Sequence, residues 1–377
     1  MSIAEKKPKY LTALSQIPEL DAQQQSQLQP VAQKFAFRTN DYYQTLINWD
    51  DPHDPIRRIV MPDIQEMEEF GAWDASEEAS YTVVHGLEHK YSDAALLLIN
   101  NVCGAYCRFC FRKRLFTQDN DETVNDISEA IQYIRMHPEI NNIVLSGGDS
   151  LIMSTGKLEQ IIGQLAAIEH VRIIRIGSKM VAFNPFRILN DPALLEMVRR
   201  FTTPEKHIYL MAHFNHPREL TKEAVSAISL MQQAGATTFN QSPILRGVND
   251  SPNTIAQLFG RLSTLGVVPY YLFICRPTAG NKSFVVPVEE SLAILDQARA
   301  KLSGVANSAR LCMSHKSGKI EVIGKYRNQI IFRRHRSPTP SRHSEVLMFP
   351  SDPEACWFDD YLDAADAPIA AAALASA

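Results

Sequence analysis

A repeated alternation constrains the fold of this 377-residue chain more than any other feature of its sequence. From about residue 94, short apolar runs alternate with longer segments of helical periodicity. Near-continuous apolar strands separated by helices indicate parallel strands that are buried on both faces. The apolar runs are AALLLI (94–99), NIVLSGG (142–148), VRIIRIGS (171–178), HIYLMAHF (207–214), TTFNQSPIL (237–245) and VPYYLFI (268–274).

Six such units with right-handed crossovers predict an α/β fold, a partial (β/α)6 TIM-like barrel. In such a barrel the chemistry takes place at the C-terminal ends of the strands. The sequence predicts four regions: an N-terminal helical extension (1–90), the barrel core (91–305), a β-rich C-terminal segment (306–362) and an Ala-rich disordered tail (363–377).

Composition limits the partners and the compartment. The formal net charge of −4 gives no overall positive charge that would attract nucleic acid or an anionic membrane. No apolar run approaches the ~20 residues that span a bilayer, and the start of the chain lacks the apolar core of a signal peptide. Six cysteines, three of them in one short loop, do not resemble a secreted disulfide framework. We therefore expect a cytoplasmic protein without nucleic-acid or membrane partners. The basic run at 327–336 indicates a solvated face or the subunit contact of a homo-oligomer rather than an RNA platform.

The candidate functional centre is a C-x3-C-x2-C loop directly after the first strand, formed by Cys103, Cys107 and Cys110, with Phe109 before the last cysteine. Three thiolates can hold three irons of a [4Fe–4S] cluster and leave the fourth iron open to another ligand. The alternatives are a zinc site or three unrelated thiols. Structural zinc usually needs four protein ligands, and no second Cys/His pair has suitable spacing. The pattern therefore predicts a cluster that takes part in chemistry.

Other polar motifs are ambiguous when they are judged by their residues alone. The run SGGDS (146–150) is equally compatible with a simple strand-to-helix turn. In HFNHP (213–217), His213 and His216 lack a third metal ligand, which favours polar or cofactor contacts over a metal. A lysine such as Lys319 is most often a solvated surface charge, and Arg112 fits a basic patch as well as a carboxylate site.

Taken together and in this order, the segments resemble those of the radical S-adenosylmethionine (SAM) superfamily, and within it lysine 2,3-aminomutase and its relatives. The matching stretches lie between about residues 40 and 325 and are NDYYQTLINWDDPHDPIRRIVMP, GLEHKYSDAALLLINNVCGAYCRFCFRKRLF, IVLSGGDSL, IRIGSK, HFNHPREL, NQSPILRGVND and SGKIEV.

The resemblance implies an isomerase that moves an amino group from Cα to Cβ of a small amino acid. It also implies a [4Fe–4S] cluster, SAM, pyridoxal 5′-phosphate (PLP) and an electron donor such as flavodoxin or ferredoxin. By resemblance, Lys319 is the catalytic lysine that carries PLP, and Arg112 holds the α-carboxylate of the substrate. The residues implied to lie at the cofactor site are Phe109, Gly147, Gly148, Asp149, His213 and Gln241, and all of them except Phe109 are implied to contact SAM.

Two departures from the family concern PLP. The family's glycine-rich run before the lysine is mostly replaced by His315, Lys316 and Ser317. Ala94 stands where the family commonly places an arginine for the cofactor phosphate. Lys316 is therefore an alternative PLP-bearing lysine. A radical SAM enzyme of the same scaffold without PLP, acting on another metabolite or on a protein lysine, is the alternative function, and an iron–sulfur electron carrier or sensor is a second one.

Two further departures concern the substrate side chain. Lysine aminomutases place two aspartates near the lysine ε-ammonium, and the corresponding positions here are Arg276 and Cys312. A buried arginine repels an ammonium and pairs well with a carboxylate. We therefore expect Arg276 and Cys312 to bind an acidic amino acid such as glutamate, and not lysine. The alternative is that local insertions misplace this correspondence.

Overall fold

The computed structural model describes residues 6–117 and 120–366. Its strands are β1 Tyr10–Leu11, β2 Thr39–Asn40, β3 Thr82–Val84, β4 Leu87–Tyr91, β5 Ala94–Asn100, β6 Asn142–Gly147, β7 Ile173–Ser178, β8 His207–Ala212, β9 Thr237–Pro243, β10 Val268–Phe273, β11 Arg310–His315, β12 Gly318–Tyr326, β13 Gln329–Arg336 and β14 Val346–Pro350. Its α-helices are α1 Ala22–Lys34, α2 Asp41–Gln44, α3 Pro55–Val60, α4 Ser128–Met136, α5 Thr155–Ala166, α6 Met180–Phe183, α7 Phe186–Leu189, α8 Pro192–Phe201, α9 Lys222–Gln233, α10 Pro252–Thr264, α11 Val288–Arg299 and α12 Phe358–Asp366.

One sheet runs in chain order from β3 to β14. Strands β5 to β11 are parallel, whereas β3 and β4 at one edge and β12 to β14 at the other are antiparallel. Strands β1 and β2 form a separate antiparallel pair. The α/β prediction and all six predicted parallel strands are confirmed.

Alternation along the strands decides which side chains face the helices and which face the inside of the sheet. In β6, Ile143 and Leu145 are fully buried, whereas Val144 and Ser146 line the interior cavity. Successive residues of a strand point to opposite faces, so one row packs against α-helices while the other remains available for function.

The helices begin and end where local chemistry requires it. In α8, the Asp191 side chain accepts a hydrogen bond from the backbone N of Leu194, and Pro192 occupies the first turn. Arg199 and Arg200 lie in the last turn, where their positive charges interact favourably with the negative end of the helix dipole. The apolar side of the helix packs into the core, so α8 fixes the β7 to β8 crossover.

The two ends of the sheet approach each other through side chains. The Lys90 Nζ of β4 donates to the carbonyl oxygen of His315 at the end of β11, 2.8 Å away. Near β5, Asp93 forms an ion pair with Arg336, the last residue of β13. These contacts enclose a cavity on the inner face of the sheet.

Several elements differ from the sequence-based expectations. β3 and all but the last residue of β4 lie inside the region predicted as a helical extension, and β11 adds a seventh parallel strand. The run RLCMSH of β11 contains Arg310, Ser314 and His315, so it lacks the apolar signal of the other strands. The predicted tail overlaps the last turn of α12 at residues 363–366, and residues 367–377 lie outside the described residues. Within the described ranges, no helix combines the length and the apolar character needed to cross a membrane.

Candidate active site

A cavity of about 410 Å³ lies on the inner face of the sheet and is bordered by strands β4 to β13. The predicted site residues that line it are Cys103, Cys107, Phe109, Cys110, Arg112, Gly147, Gly148, Asp149, His213, Gln241, Arg276 and Lys319. Residues separated by more than 200 positions in the chain are thus brought to one place. Cys312 is buried beside the cavity and does not line it.

The cysteine loop follows β5 and is held by the N-terminal region. The backbone N of Tyr106 donates to the Arg38 carbonyl oxygen at 2.9 Å, and that of Arg108 donates to Ile59 at 2.9 Å. The Arg108 guanidinium forms two hydrogen bonds of 2.8 Å to Glu66, which is fully buried. The loop is therefore fixed by backbone and charge rather than by the cysteines themselves.

The three loop cysteines are free thiols that face the cavity. Burial raises the pKa of Cys103, Cys107 and Cys110, so an unliganded loop keeps its protons until iron displaces them. No three His, Cys, Asp or Glu side chains in the described ranges converge to hold one metal ion. A cubane takes one thiolate per iron, so its ligands need not converge, and the loop fits that donor set.

Gly147 and Gly148 serve the close approach of two chain segments. Gly147 has φ of 113°, and a Cβ added there would lie 2.2 Å from the Asn100 carbonyl oxygen. A Cβ on Gly148 would lie 2.3 Å from the Val102 carbonyl oxygen. Any larger residue would push the turn away from the start of the cysteine loop. The glycines thus dock the SGGDS turn on that loop as well as lining the cavity.

The Asp149 carboxylate is fully engaged by the protein. It accepts hydrogen bonds from Ser178 Oγ at 2.7 Å and from the backbone N atoms of Lys179 and Met180 at 2.6 and 3.1 Å. The backbone N of Leu151 donates to it as well, at 3.0 Å. Asp149 therefore joins the ends of β6 and β7, and its carboxylate has little capacity left for a ligand.

His213 presents an unpartnered atom to the cavity. Its Nε2 is buried and has no hydrogen-bond partner in the described part of the chain. Burial lowers the pKa of His213 well below its usual value, so the ring is neutral. The Lys179 Nζ donates to the His213 carbonyl oxygen at 2.9 Å and forms a buried ion pair with Glu219 at 2.6 Å. A neutral, fixed imidazole without a protein partner is suited to a polar ligand atom.

Arg112 is pre-positioned by an acidic residue that the sequence did not single out. Its Nε and Nη2 bind Glu78 at 3.0 and 2.7 Å, and its Nη1 donates to Ser146 Oγ at 2.9 Å. Burial alone would raise the pKa of Glu78, but Arg112 and Arg114 outweigh it and lower that pKa to about 2. Glu78 thus occupies the Nε–Nη2 edge of the guanidinium, so a second carboxylate would have to bind the end-on edge, where Nη1 already donates to Ser146 Oγ.

Of the two candidate PLP lysines, only Lys319 lies in the cavity. Its Nζ lies 4.9 and 4.8 Å from the ring centroids of Tyr271 and Phe273. Burial lowers the pKa of Lys319 to about 7. Lys316 is half-exposed and pairs with Glu77 at 3.3 Å outside this cavity. Lys319 is therefore the lysine whose amine is both enclosed and able to lose its proton near neutral pH.

Arg276 lies just after β10 and lines the cavity. Its Nη2 donates to the carbonyl oxygen of Ser314, and its guanidinium lies 4.7 Å from the ring centroid of Phe111. Its Nε and Nη1 are buried without a hydrogen-bond partner among the described residues. Burial lowers the pKa of Arg276 to about 10, which still leaves it charged at neutral pH. A buried cation with two free donors calls for an anionic ligand.

Several cavity residues were missed by sequence reasoning. They are Glu78, Glu88, Lys90, Arg175, Arg336 and Trp357. Arg175 lies in an apolar run, and a charged residue within a buried strand was the one sequence feature that could have marked it as a cavity residue. Glu88 and Lys90 lie in the region predicted as helical, and Trp357 follows the last strand. Burial, assisted by Glu78, raises the pKa of Glu88 to about 8, so this carboxyl is mostly protonated at neutral pH.

Comparison with known proteins identifies the family. No family model matches the chain. A protein of Aquifex aeolicus, provisionally named L-lysine 2,3-aminomutase, is 56% identical over 359 residues, which cover 95% of this chain and 96% of that protein. The chain belongs to the radical SAM lysine 2,3-aminomutase family. The L-lysine 2,3-aminomutase of Clostridium subterminale is 39% identical and covers 70% of this chain, with 62% of that protein matched.

The family also contains a relative with a different substrate. The glutamate 2,3-aminomutase of Clostridioides difficile is 31% identical over 83% of this chain and 74% of that protein. A crystal structure of a radical SAM methyltransferase from Sphaerobacter thermophilus gives a TM-score of 0.42 at 19% identity, over 60% of this chain and 68% of the other. Family membership makes the chain an isomerase and implies a [4Fe–4S] cluster, SAM and PLP.

Proposed function

We propose that the protein is a radical SAM, PLP-dependent 2,3-aminomutase of an acidic amino acid, with glutamate as the favoured substrate. Arg276 carries this proposal: it shares the cavity with Lys319 and has two buried donors that no described residue accepts. A carboxylate at the end of the substrate side chain would accept a charge-assisted hydrogen bond from one of them and balance the buried charge. The lysine ε-ammonium would instead meet a second buried cation without screening water.

The proposed assignments follow the geometry of the cavity. The thiolates of Cys103, Cys107 and Cys110 hold the cluster at one end, where Phe109 packs 5.9 Å from His213, ring centroid to ring centroid. When bound, the cluster and SAM supply a hydrogen-abstracting carbon radical, and PLP supplies the conjugated system across which an amino group can migrate. We assign contacts with SAM to His213, to Gln241 and to the backbone of Gly147 and Gly148.

The chain's own residues then hold, orient and shield the reactants. The neutral amine of Lys319 is the nucleophile for the PLP aldehyde, and its lowered pKa makes that form available near neutral pH. Arg112, oriented by Glu78, offers its end-on edge to the α-carboxylate. Phe111, Phe273 and Trp357 border the cavity and exclude water. We further propose that the sheet is an incomplete radical SAM barrel with the N- and C-terminal segments as its caps.

The decisive experiment is anaerobic turnover of the reconstituted protein with SAM, reductant and a panel of amino acids, analysed by chiral mass spectrometry. We expect conversion of glutamate to its β-isomer and little conversion of lysine. Conversion of lysine with inert acidic amino acids would overturn the substrate assignment. It would leave the aminomutase assignment standing.

Lysine is the second candidate substrate. It is favoured by the 56% identical protein of Aquifex aeolicus, which is provisionally named L-lysine 2,3-aminomutase. Glu88 could meet an ammonium, since its Oε1 is buried without a partner in the described residues. Its raised pKa keeps it mostly neutral at pH 7, however, so it is a weaker counter-ion than an ionised aspartate. A PLP-free enzyme on the same scaffold is excluded if Lys319→Ala abolishes both PLP uptake and turnover.

A further inference from the structure

We propose that Arg175 and Arg336 bind the phosphate group of PLP, in the space that Ala94 leaves beside them. This inference rests on the proposed function, because it requires PLP at Lys319. It addresses the departure from the family noted at Ala94: if that position carries no arginine, the phosphate needs cations from elsewhere in the fold.

The first arginine, Arg175 of β7, is held by Asn142, which lies beside Ala94 on the intervening strand β6. Ala94 of β5 and Asn142 of β6 are register partners, and both Ala94 and Arg175 line the cavity. The Asn142 Oδ1 accepts a hydrogen bond of 2.8 Å from Arg175 Nε. Arg175 lies further along β7, level with Val144. The hydrogen bond therefore draws its guanidinium back toward the strand start where Ala94 lies.

The second arginine reaches the same place from the opposite end of the sheet. Arg336, the last residue of β13, forms an ion pair with Asp93, which immediately precedes Ala94. Its guanidinium lies 4.5 Å from the ring centroid of Tyr91. Two guanidinium groups are thus held next to Ala94. Arg175 is hydrogen-bonded to Asn142, the register partner of Ala94, and Arg336 is paired with Asp93, the residue before Ala94.

The charges around Ala94 do not balance. Within the residues that the structure describes, Arg175 makes its side-chain hydrogen bond through Nε alone, so Nη1 and Nη2 stay available. Burial lowers the pKa of Arg175, and the positive charge of Arg336 lowers it further. The two guanidinium groups therefore repel each other. Asp93 supplies one negative charge for two positive ones. A phosphate dianion would correct the imbalance and accept bidentate hydrogen bonds from arginine.

Lys319 lies within reach of this pair of arginines. It is the register partner of Arg336 across β12 and β13, and directly opposite residues of an antiparallel pair project to the same face. The rings of Tyr271 and Phe273 lie 4.9 and 4.8 Å from its Nζ and provide flat apolar surface for a ligand ring. A ligand attached to Lys319 can therefore extend its phosphate toward Arg336 and Arg175.

The test compares PLP with pyridoxal, which has the same aldehyde and lacks the phosphate. Apparent dissociation constants of both are measured by absorbance titration for the parent, Arg175→Gln and Arg336→Gln. Arg333→Gln is the matched control, because Arg333 belongs to the same strand as Arg336 and pairs with Glu321 outside the cavity. We expect each of the two variants, Arg175→Gln and Arg336→Gln, to weaken PLP binding about tenfold or more and pyridoxal binding less than about twofold. Each variant loses a charge-assisted contact with the phosphate, which pyridoxal does not have.

A further variant keeps the test decisive if an arginine variant folds poorly. Ala94→Glu places a carboxylate between the two guanidiniums, so we expect lost PLP affinity together with undiminished thermal stability. If the parent takes up PLP at Lys319 and the cavity variants take it up equally well, or lose pyridoxal to the same degree, the phosphate assignment is wrong and the proposed function stands. If the parent takes up no PLP, both are wrong.

Discussion

Arg276 is tied to the residue that lies directly opposite Lys319. The Arg276 Nη2 donates to the carbonyl oxygen of Ser314, and Ser314 and Lys319 are register partners across β11 and β12. The pKa of Lys319 is lowered first by burial and then by several cations, Arg276 among them. No carboxylate in the described residues lies within ion-pair distance of either group. The region around Lys319 is therefore built to receive negative charge.

Replacement of Arg276 should separate binding of an acidic substrate from the rest of the reaction. We expect Arg276→Gln to lower kcat/KM for glutamate by about 10- to 100-fold, because a charge-assisted hydrogen bond contributes roughly 1.5–3 kcal/mol. SAM cleavage without substrate should not change. The control is Arg199→Gln on the exposed face of α8. An unchanged kcat/KM for glutamate, with normal folding, would contradict the assignment.

The pH dependence of PLP attachment should report the environment of Lys319. Only the neutral amine attacks an aldehyde, and its fraction grows as pH rises through the folded-state pKa. Since burial lowers that pKa to about 7, the attachment rate should rise up to about pH 7 and then level off. An ordinary exposed lysine would keep gaining rate toward about pH 10. Borohydride trapping followed by peptide mapping measures both the rate and the site.

Lys316 provides the matched control for this experiment. Its side chain is half-exposed, and Asp359 and Glu77 raise its pKa. Lys316→Ala should keep the plateau and the yield, whereas Lys319→Ala should lose the adduct. A rate that climbs steadily to pH 10 would show that the Lys319 amine is not buried in solution.

The sequence predicted the parallel sheet well because its strands carry the signal of burial on both faces. AALLLI and VRIIRIGS are long enough and apolar enough to have few alternative structures. The β4 run LEHKY has no such signal, since the charged residues Glu88 and Lys90 face the cavity. Its strand conformation depends on pairing with β5, which is a tertiary effect.

The candidate site was predictable where a motif has a fixed local geometry and not where it depends on distant partners. The cysteine spacing alone places three thiols on one loop. The pairing of Arg112 with Glu78 joins residues that are 34 positions apart in the chain. Glu78 lies in a short 3₁₀ turn, and no local sequence pattern predicts that turn. The unpartnered donors of Arg276 were likewise not readable from sequence, because burial and missing partners are properties of the assembled cavity.

The N-terminal region should stabilise the cysteine loop through one buried carboxylate. Glu66 is fully buried, accepts two hydrogen bonds from Arg108 and lies 3.2 Å from Lys113 Nζ. Glu66→Gln leaves a buried guanidinium without its counter-ion, so we expect a loss of about 3–5 kcal/mol in the free energy of unfolding. Denaturant titration of the apoprotein measures it. Glu196→Gln, which breaks an exposed pair with Arg199, should cost less than about 1 kcal/mol.

Glu78 should act as a positioning residue for substrate binding. Its carboxylate holds the Nε and Nη2 of Arg112 and also binds Arg114 at 2.5 Å. In Glu78→Gln the uncharged amide holds both guanidiniums more weakly, so the end-on edge of Arg112 is less well oriented. We expect KM for the amino acid to rise about tenfold, with substrate-independent SAM cleavage unchanged.

A second measurement distinguishes this positioning role from a general loss of structure. The pKa of Glu88 is raised by burial and, next, by the negative charge of Glu78. Removing that charge should lower the pKa of Glu88 and move the corresponding limb of the pH profile for substrate binding to lower pH. Glu122→Gln is the matched control, because Glu122 also binds Arg114 and does not contact Arg112. Equal KM changes in both variants without a shift of the pH profile would mean that Glu78 contributes only to folding.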